Sequence, residues 1–444
     1  MVKVITYGTY DLLHYGHINL LKNAKALGDY LIVGVTAEDF DRARGKINVK
    51  QSLAERIEAV RATGIADEII VEEYEGQKID DIKRYGVDIF TVGSDWEGKF
   101  DYLKEYCKVV YLKRTEGVSS TELRAKLKPL KIGFVGTAPY IKKFINETKF
   151  VAGLTPVGIC TGGEKLPDSL KDFSTTKNYE EFLNEVDAVY IASQPKKREK
   201  QIRLAIERGK HVLCESPVAL DKNVCEELFD LAEKKGVTLT ESIKTAYSMA
   251  YYRLLLMAKS GKIGKIVSVD ATCTSLKDFN VSDAESEPKS IYEWGPNALL
   301  AVFQLLGTDY RSKSMAVAFL DEKNRVDAFT DIRFVYDGAV ANVKVGRGVK
   351  SEGELIVSGT KGYIYVPAPW WKTEYFEIRF EDPAENKRFF FQLDGEGIRY
   401  ELVSFVKQAE SKKNFSYVEK KVSVAIAEIA QHFEEGVDVV KINI

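Results

Sequence analysis

GTYDLLHYGHINLLKNAKALGDYLIVGV, residues 8 to 35, decides the fold of the first third of the chain. The β-rich run VKVITY precedes it and stops at Tyr7, where a glycine-containing turn begins. Apolar residues then recur at helical spacing, which predicts a helix over His17–Leu27 with Gly28 as its cap. YLIVGVT follows as a second strand. Strand, turn, helix and strand in that order form a parallel α/β unit. EIIVEEY, VDIFTVG and KVVYLKR supply three more strands, and Ser52–Ala62 reads as another helix.

The turn carries the chemistry. His14 and His17 fall where the helix starts, among free N–H groups and the positive end of the helix dipole, a place suited to an anion. Two histidines three apart there can address one phosphate, and Gly16 between them lets a ligand approach the backbone. The plainer alternative is a helix-capping histidine beside a packed one. Gly8, Thr9, Tyr10 and Asp11 form the preceding turn; Asp11 is either a metal or water contact or the head of an Asx-turn. Two distant segments add phosphate-suited groups. Arg42, Arg44 and Lys46 surround ARGKI, and RTEGVSSTELR offers Arg114, Thr115, Gly117, Ser119, Ser120 and Thr121 between a strand and a helix.

GTYDLLHYGH, with WEGKFDYLKEYCKVVYLKRTEGVSST later, resembles the glycerol-3-phosphate cytidylyltransferase family over residues 1 to about 127. The resemblance implies an HxGH site at His14 and His17 and a second triphosphate motif at Arg114 to Thr121. It places Lys46, Arg56, Asp95 and Trp96 near the ligands, with Arg56 toward the acceptor substrate. CTP is then the implied substrate, with Mg²⁺ shielding its phosphates and no protein metal centre. Arg44 stands where the family often has lysine, and VSST where it has ISTT, so charge and hydroxyls are retained.

A second α/β series opens at KIGFVGTA after Pro129, placing Gly133, Gly136, Thr137 and Ala138 between strand and helix. DAVYIASQPKKREKQIRLAIERGKHVLCESPVAL and SGKIGKIVSVDA resemble the glucose–fructose oxidoreductase and inositol dehydrogenase family over Lys131 to Ile444. The cofactor positions expected are those glycine-turn residues with Thr161, Ser193, Gln194, Pro195, Glu215, Ser216 and Pro217. The family's E-K-P lysine is Ser216 here, and Glu293 and Asn297 stand where an aspartate and a catalytic histidine are common. Asparagine cannot donate a proton as histidine does. Lys244 or Tyr247 of ESIKTAYS is the candidate proton donor for carbonyl reduction, a solvated lysine and a core tyrosine being the alternative. ICTGG ends the second strand without an acidic residue and has Lys165 nearby, which favours NADPH over NADH.

The expected architecture is α/β throughout its first two parts. Residues 1–128 form a nucleotidyltransferase domain and 130–246 a dinucleotide-binding Rossmann domain. Residues 247–444 form an α+β domain with a large open, mostly antiparallel sheet, used for substrate and oligomerisation. At 444 residues the chain is too long for one core, and its formal net charge of -2 argues against nucleic acid. No apolar run approaches membrane-spanning length, and the N-terminus has no signal-like region. Five cysteines without CxxC spacing argue against a metal knuckle or disulfide framework, and a cytoplasmic setting is expected. The reading is a bifunctional enzyme acting on small molecules, as a homodimer or higher homo-oligomer. A non-catalytic, nucleotide-binding second half is the alternative.

Overall fold

Val4 and Ile5 point to opposite faces of the first strand, and both are fully buried, so the sheet they belong to is covered on both sides. In this computed structural model the described residues are 1–37, 40–41, 49–51, 53–74, 76–113, 129–277, 289–391, 393–411 and 416–443. They divide into two compact units, Met1–Lys128 and Pro129–Ile444.

The first unit holds β1 (Lys3–Gly8), β2 (Tyr30–Thr36), β3 (Glu68–Glu72), β4 (Ile89–Gly93) and β5 (Lys108–Leu112). All pair in parallel, in the order β3-β2-β1-β4-β5. Helices α1 (Tyr15–Lys25), α2 (Leu53–Ala62) and α3 (Gln77–Tyr85) cover it. Leu21 and Val60 close one face over Val4, Leu31 and Val33; Ile82 and Leu103 close the other over Ile5, Ile32 and Phe90. The first helix ends two residues earlier than its pattern predicts, capped at Ala26. Gly28 serves close approach instead, since a Cβ there would meet the Val2 carbonyl oxygen at 2.6 Å.

The second unit begins with a six-stranded parallel sheet: β6 (Leu130–Val135), β7 (Leu154–Cys160), β8 (Thr175–Thr176), β9 (Ala188–Ile191), β10 (His211–Glu215) and β11 (Leu239–Ser242). Its order is β11-β10-β9-β6-β7-β8. Helices α4 (Ile141–Thr148), α5 (Tyr179–Glu185), α6 (Pro195–Glu207) and α7 (Lys222–Lys235) connect the strands. Beyond α8 (Met249–Lys259) comes a ten-stranded sheet from β12 (Ile266–Leu276) to β21 (Val439–Lys441), with α9 (Ser290–Glu293) and α10 (Gly295–Leu306) beside it. It is antiparallel except for the β12–β15 and β13–β21 pairs, where β13 is Ser312–Asp321 and β15 is Val340–Gly346. The chain then returns: α11 (Ile398–Ser411) buries Leu402 and Phe405 in the core of the parallel sheet, and α12 (Lys420–Glu435) adds Ala427 to its other core. Parallel Rossmann-like layers followed by a large, mostly antiparallel sheet are the expected class. The five cysteines are free thiols. Among the described residues no helix is long and apolar enough to cross a membrane.

Candidate functional site

In the first unit the strand order reverses between β1 and β4, so a crevice opens at the carboxyl ends of these two strands, where α/β sheets bind ligands. β1 ends at Gly8, and the turn that follows is tight: Tyr10 and Leu12 have φ of 54° and 47°, and the Tyr10 ring folds over Gly8. His14 is the N-cap of α1. Its Nδ1 accepts the Gly16 N–H at 3.1 Å, while Nδ1 of His17 accepts the His14 N–H at 3.4 Å. The rings stack, and the Tyr10 ring meets His17 edge-on at 5.6 Å. Both Nδ1 atoms are thus engaged in capping the helix. With Nδ1 of each ring accepting, the proton of each neutral imidazole belongs on Nε2.

The turn is braced from behind. The Asp11 carboxylate, 3% exposed, accepts the N–H groups of Lys50 and Gln51, so it joins two segments rather than heading an Asx-turn. Thr9 donates to Asp41. Arg56, which the resemblance placed toward the substrate, is fully buried. Its guanidinium donates to the carbonyls of Thr9, Thr36 and Gln51 and pairs with Asp41, so it is a brace under the turn and not a ligand-facing cation. Asp95 and Trp96 form a short turn directly after β4, on the same crevice edge, with Asp95 exposed. Lys46, Arg114, Thr115, Gly117, Ser119, Ser120 and Thr121 lie outside the described residues.

In the second unit the order reverses between β6 and β9, and a cleft of about 990 Å³ opens there. Gly136 has φ of 115°, and a Cβ on it would sit 2.9 Å from the backbone of Ala192 and Ser193. Only glycine makes that turn, which leaves a cradle of backbone beside Thr137 and Ala138 of the kind a dinucleotide requires. Ser193, Gln194 and Pro195, at the start of α6, line the opposite wall. Gly133 is a correction: it lies within β6, where a Cβ would meet the Phe182 ring at 2.5 Å, so it serves helix packing and not the cofactor. Thr161 and Pro217 do not line the cleft either. The Thr161 hydroxyl accepts from the Gly163 N–H in its own turn and lies 3.4 Å from the Thr176 carbonyl oxygen on β8. The carbonyls of Ser193, Glu215 and Pro217 converge on the buried Arg198.

The second strand does carry an acid one step later than its ending suggests. Glu164 lines the cleft, accepts from the Thr137 hydroxyl at 3.0 Å and pairs with Lys197, which holds its carboxyl below the usual range. Glu215 and Ser216 face the cleft, with Ser216 bonded to the buried Glu241. Burial raises the Glu215 carboxyl, which takes the Tyr190 hydroxyl. Asn297 accepts from Thr245, and Glu293 pairs with Lys277 and Arg347. Lys244 lines the cleft, but Tyr247 does not: it is 3% exposed, with its ring against Tyr417 and its hydroxyl by Ser416. Tyr247 is a core residue, because the short turn after β11 points it inward. Sequence reasoning missed Lys143, Lys372 and Glu396, which meet Lys244 at the cleft from remote segments. Among the described residues the lining holds ten Lys or Arg against five Glu, an excess that a chain of net charge -2 does not announce. Among the described residues no group of three or more His, Cys, Asp or Glu is placed to hold a metal.

Comparison with known proteins separates the units in the same way. Residues 5–126 match the family described as cytidylyltransferase-like, and residues 130–242 the oxidoreductase family with an NAD-binding Rossmann fold. The glycerol-3-phosphate cytidylyltransferase of Staphylococcus aureus (strain NCTC 8325 / PS 47) is 47% identical over 127 residues, 29% of this chain and 96% of that protein. The enzyme of the same name from Bacillus subtilis (strain 168) is 47% identical over 127 residues, 29% of this chain and 98% of its own length. A 3-ketoreductase from Actinomadura kijaniata, solved with NADP and TDP-benzene, covers 71% of this chain and 100% of its own with a TM-score of 0.62. At 18% identity that likeness is one of fold.

Proposed function

Because the chain belongs, through its first unit, to the family of the glycerol-3-phosphate cytidylyltransferases, we propose that it makes a CDP-activated polyol in two steps, transfer and reduction. A phosphate oxygen of a phosphorylated polyol or sugar attacks the α-phosphorus of CTP; the new P–O bond forms as the bond to the β-phosphate breaks, and pyrophosphate leaves. Nε2–H groups of His14 and His17 face the charge that accumulates, and positioning with electrostatic stabilisation supplies most of the rate. Lys46 and Arg114 complete the set by family resemblance, and Mg²⁺ would shield the triphosphate.

The second unit belongs to an oxidoreductase family and fits NAD(P)H at the Gly136 turn, held by Thr137, Ala138 and the Ser193–Pro195 wall. NAD(P)H held there would supply the hydride. Lys244 is the candidate proton source for the carbonyl oxygen. The observation that carries the link between the units is the cationic lining of the cleft: it suits a carbonyl substrate bearing phosphate, either a ketose phosphate such as fructose 6-phosphate or its CDP adduct. The product is then a CDP-polyol such as CDP-glucitol, for capsule or surface polysaccharide. Ser216 and Asn297 favour a second reading, in which this cleft binds nucleotide without chemistry.

The test is incubation with CTP, Mg²⁺ and a panel of phosphorylated polyols and ketoses, following pyrophosphate first and NADPH absorbance afterward. Pyrophosphate release with ATP but not CTP overturns the first step. NADPH that binds yet is not oxidised with any ketose phosphate or CDP-ketose selects the second reading.

A further inference from the structure

We propose that Lys143, Lys244 and Lys372 form a phosphate-receiving site for the substrate of the second cleft, and that Glu396 occupies it as an internal substitute for that phosphate. The inference rests on the reading that this cleft takes a phosphorylated substrate. The three lysines come from α4, from the turn after β11 and from the short turn Trp370–Lys372. Their ammonium groups converge on one carboxylate, at 3.0 Å for Lys143, 2.8 Å for Lys244 and 3.0 Å for Lys372. All four residues line the cleft. Three like charges drawn to one point repel each other, and among the described residues one carboxylate is the only acidic group they all contact, with Glu215 and Glu401 acting on Lys244 from farther off. A phosphate dianion, with three acceptor oxygens, matches the site better than the glutamate does.

The backbone that delivers Glu396 is unusual. Gly395, Glu396 and Gly397 are all left-handed, with φ of 58°, 54° and 91°. Glycine adopts that conformation freely, but glutamate does not. A Cβ on Gly397 would sit 2.8 Å from the Lys244 carbonyl oxygen, so the turn is pressed against one of the lysines whose charge it neutralises. The pairing also accounts for the acidity of Glu396: burial would raise its carboxyl, yet the three lysines bring it down to about 2. Side-chain exposures of 32% for Glu396 and 56% for Lys143 leave the group reachable from the cleft.

Two of the three lysines stand on the substrate wall of the cleft. Lys244 and Lys372 sit by Thr245 and Trp371, and the Thr245 hydroxyl lies 2.8 Å from both Asn297 Oδ1 and the Trp371 carbonyl oxygen, its one proton serving either. Asn297 belongs to α10, whereas Lys143 is on α4, the helix that follows the Gly136 turn, so the cluster lies where that wall meets the cofactor turn.

Titration calorimetry of the full chain with inorganic phosphate, in saturating NADPH, tests the proposal. Glu396→Gln should bind phosphate at least about tenfold more tightly than wild type, because the competing internal anion is gone. Adding Lys372→Met to Glu396→Gln should abolish the gain. Any phosphate bound by the first unit is common to all variants and cancels. Equal isotherms for wild type and Glu396→Gln overturn the proposal, and so does a gain that survives Lys372→Met or appears only without NADPH. Melting curves establish that each variant is folded, and Lys143→Met in the Glu396→Gln background is a second arm if Lys372→Met is not. Tighter phosphate binding without any ketose reduction supports the site while removing the reductase reading.

Discussion

The imidazoles of His14 and His17 lie face to face, their centres 3.9 Å apart and their planes 20° from parallel. Each ring gives its Nδ1 to a backbone N–H at the start of α1, so one local structure caps the helix and fixes both tautomers. Capping and chemistry can therefore be separated by substitution. His14→Asn keeps a side-chain acceptor for the Gly16 N–H, whereas His14→Ala loses it at a cost of about 1 kcal/mol. Both variants, and His17→Ala, should lose cytidylyl transfer by about a hundredfold or more, the scale of a lost transition-state donor. Pyrophosphate release and denaturant melts measure the two effects. Near-normal turnover in His17→Ala would remove the histidine pair from the chemistry.

Arg56 should matter through stability first. Its guanidinium satisfies the carbonyls of Thr9 and Thr36 and the Asp41 carboxylate at zero exposure. Arg56→Ala takes the guanidinium away from that buried carboxylate and from both carbonyls, which should cost about 3–5 kcal/mol. Arg56→Lys cannot span the same partners and should recover little of the loss. Urea unfolding checks this; a variant of normal stability with a raised KM for the acceptor would restore Arg56 to the substrate.

The histidine turn was legible because its parts are consecutive in sequence: strand, glycine, cap and helix specify each other within ten residues. The class of each unit followed from periodicity for the same reason. Arg56 was misread because burial is not local; an arginine in a helical pattern looks the same over solvent as under a turn. Tyr247 failed likewise, its direction being set by packing against Tyr417. The lysines around Glu396 come from positions 143, 244 and 372, and no spacing rule relates such distant residues.

The glycine pair of the second unit shows how a strand boundary changes function. Gly136→Ala adds a Cβ against the backbone of Ala192 and Ser193 at a φ that L residues rarely take, so NADPH affinity should fall sharply. Gly133→Ala drives a methyl into the Phe182 ring and should cost about 1–3 kcal/mol through overpacking, with the cofactor affinity nearly kept. NADPH fluorescence titration alongside thermal melts distinguishes them. The opposite pattern would place Gly133, and not Gly136, at the cofactor.

Glu401 sets a pH dependence in the second unit. It is fully buried, one carboxylate oxygen accepts from Ser242 at 3.0 Å, and the other has no partner among the described residues. Burial, and then the neighbouring Glu215 charge, push its carboxyl well above the ordinary value. The folded chain thus keeps a proton that the unfolded chain has released. Stability from this group is fully present below the ordinary carboxyl pKa and falls as pH rises toward the folded value, by about 1.4 kcal/mol per pH unit for one proton. Glu401→Gln carries the neutral hydrogen-bonding form at every pH, so its unfolding free energy should change less between pH 5 and pH 8 than that of wild type. At pH 8 the variant should be the more stable of the two. Chemical denaturation at both pH values measures the slope, and a slope unchanged by Glu401→Gln would mean that the buried carboxyl is ionised in the folded chain.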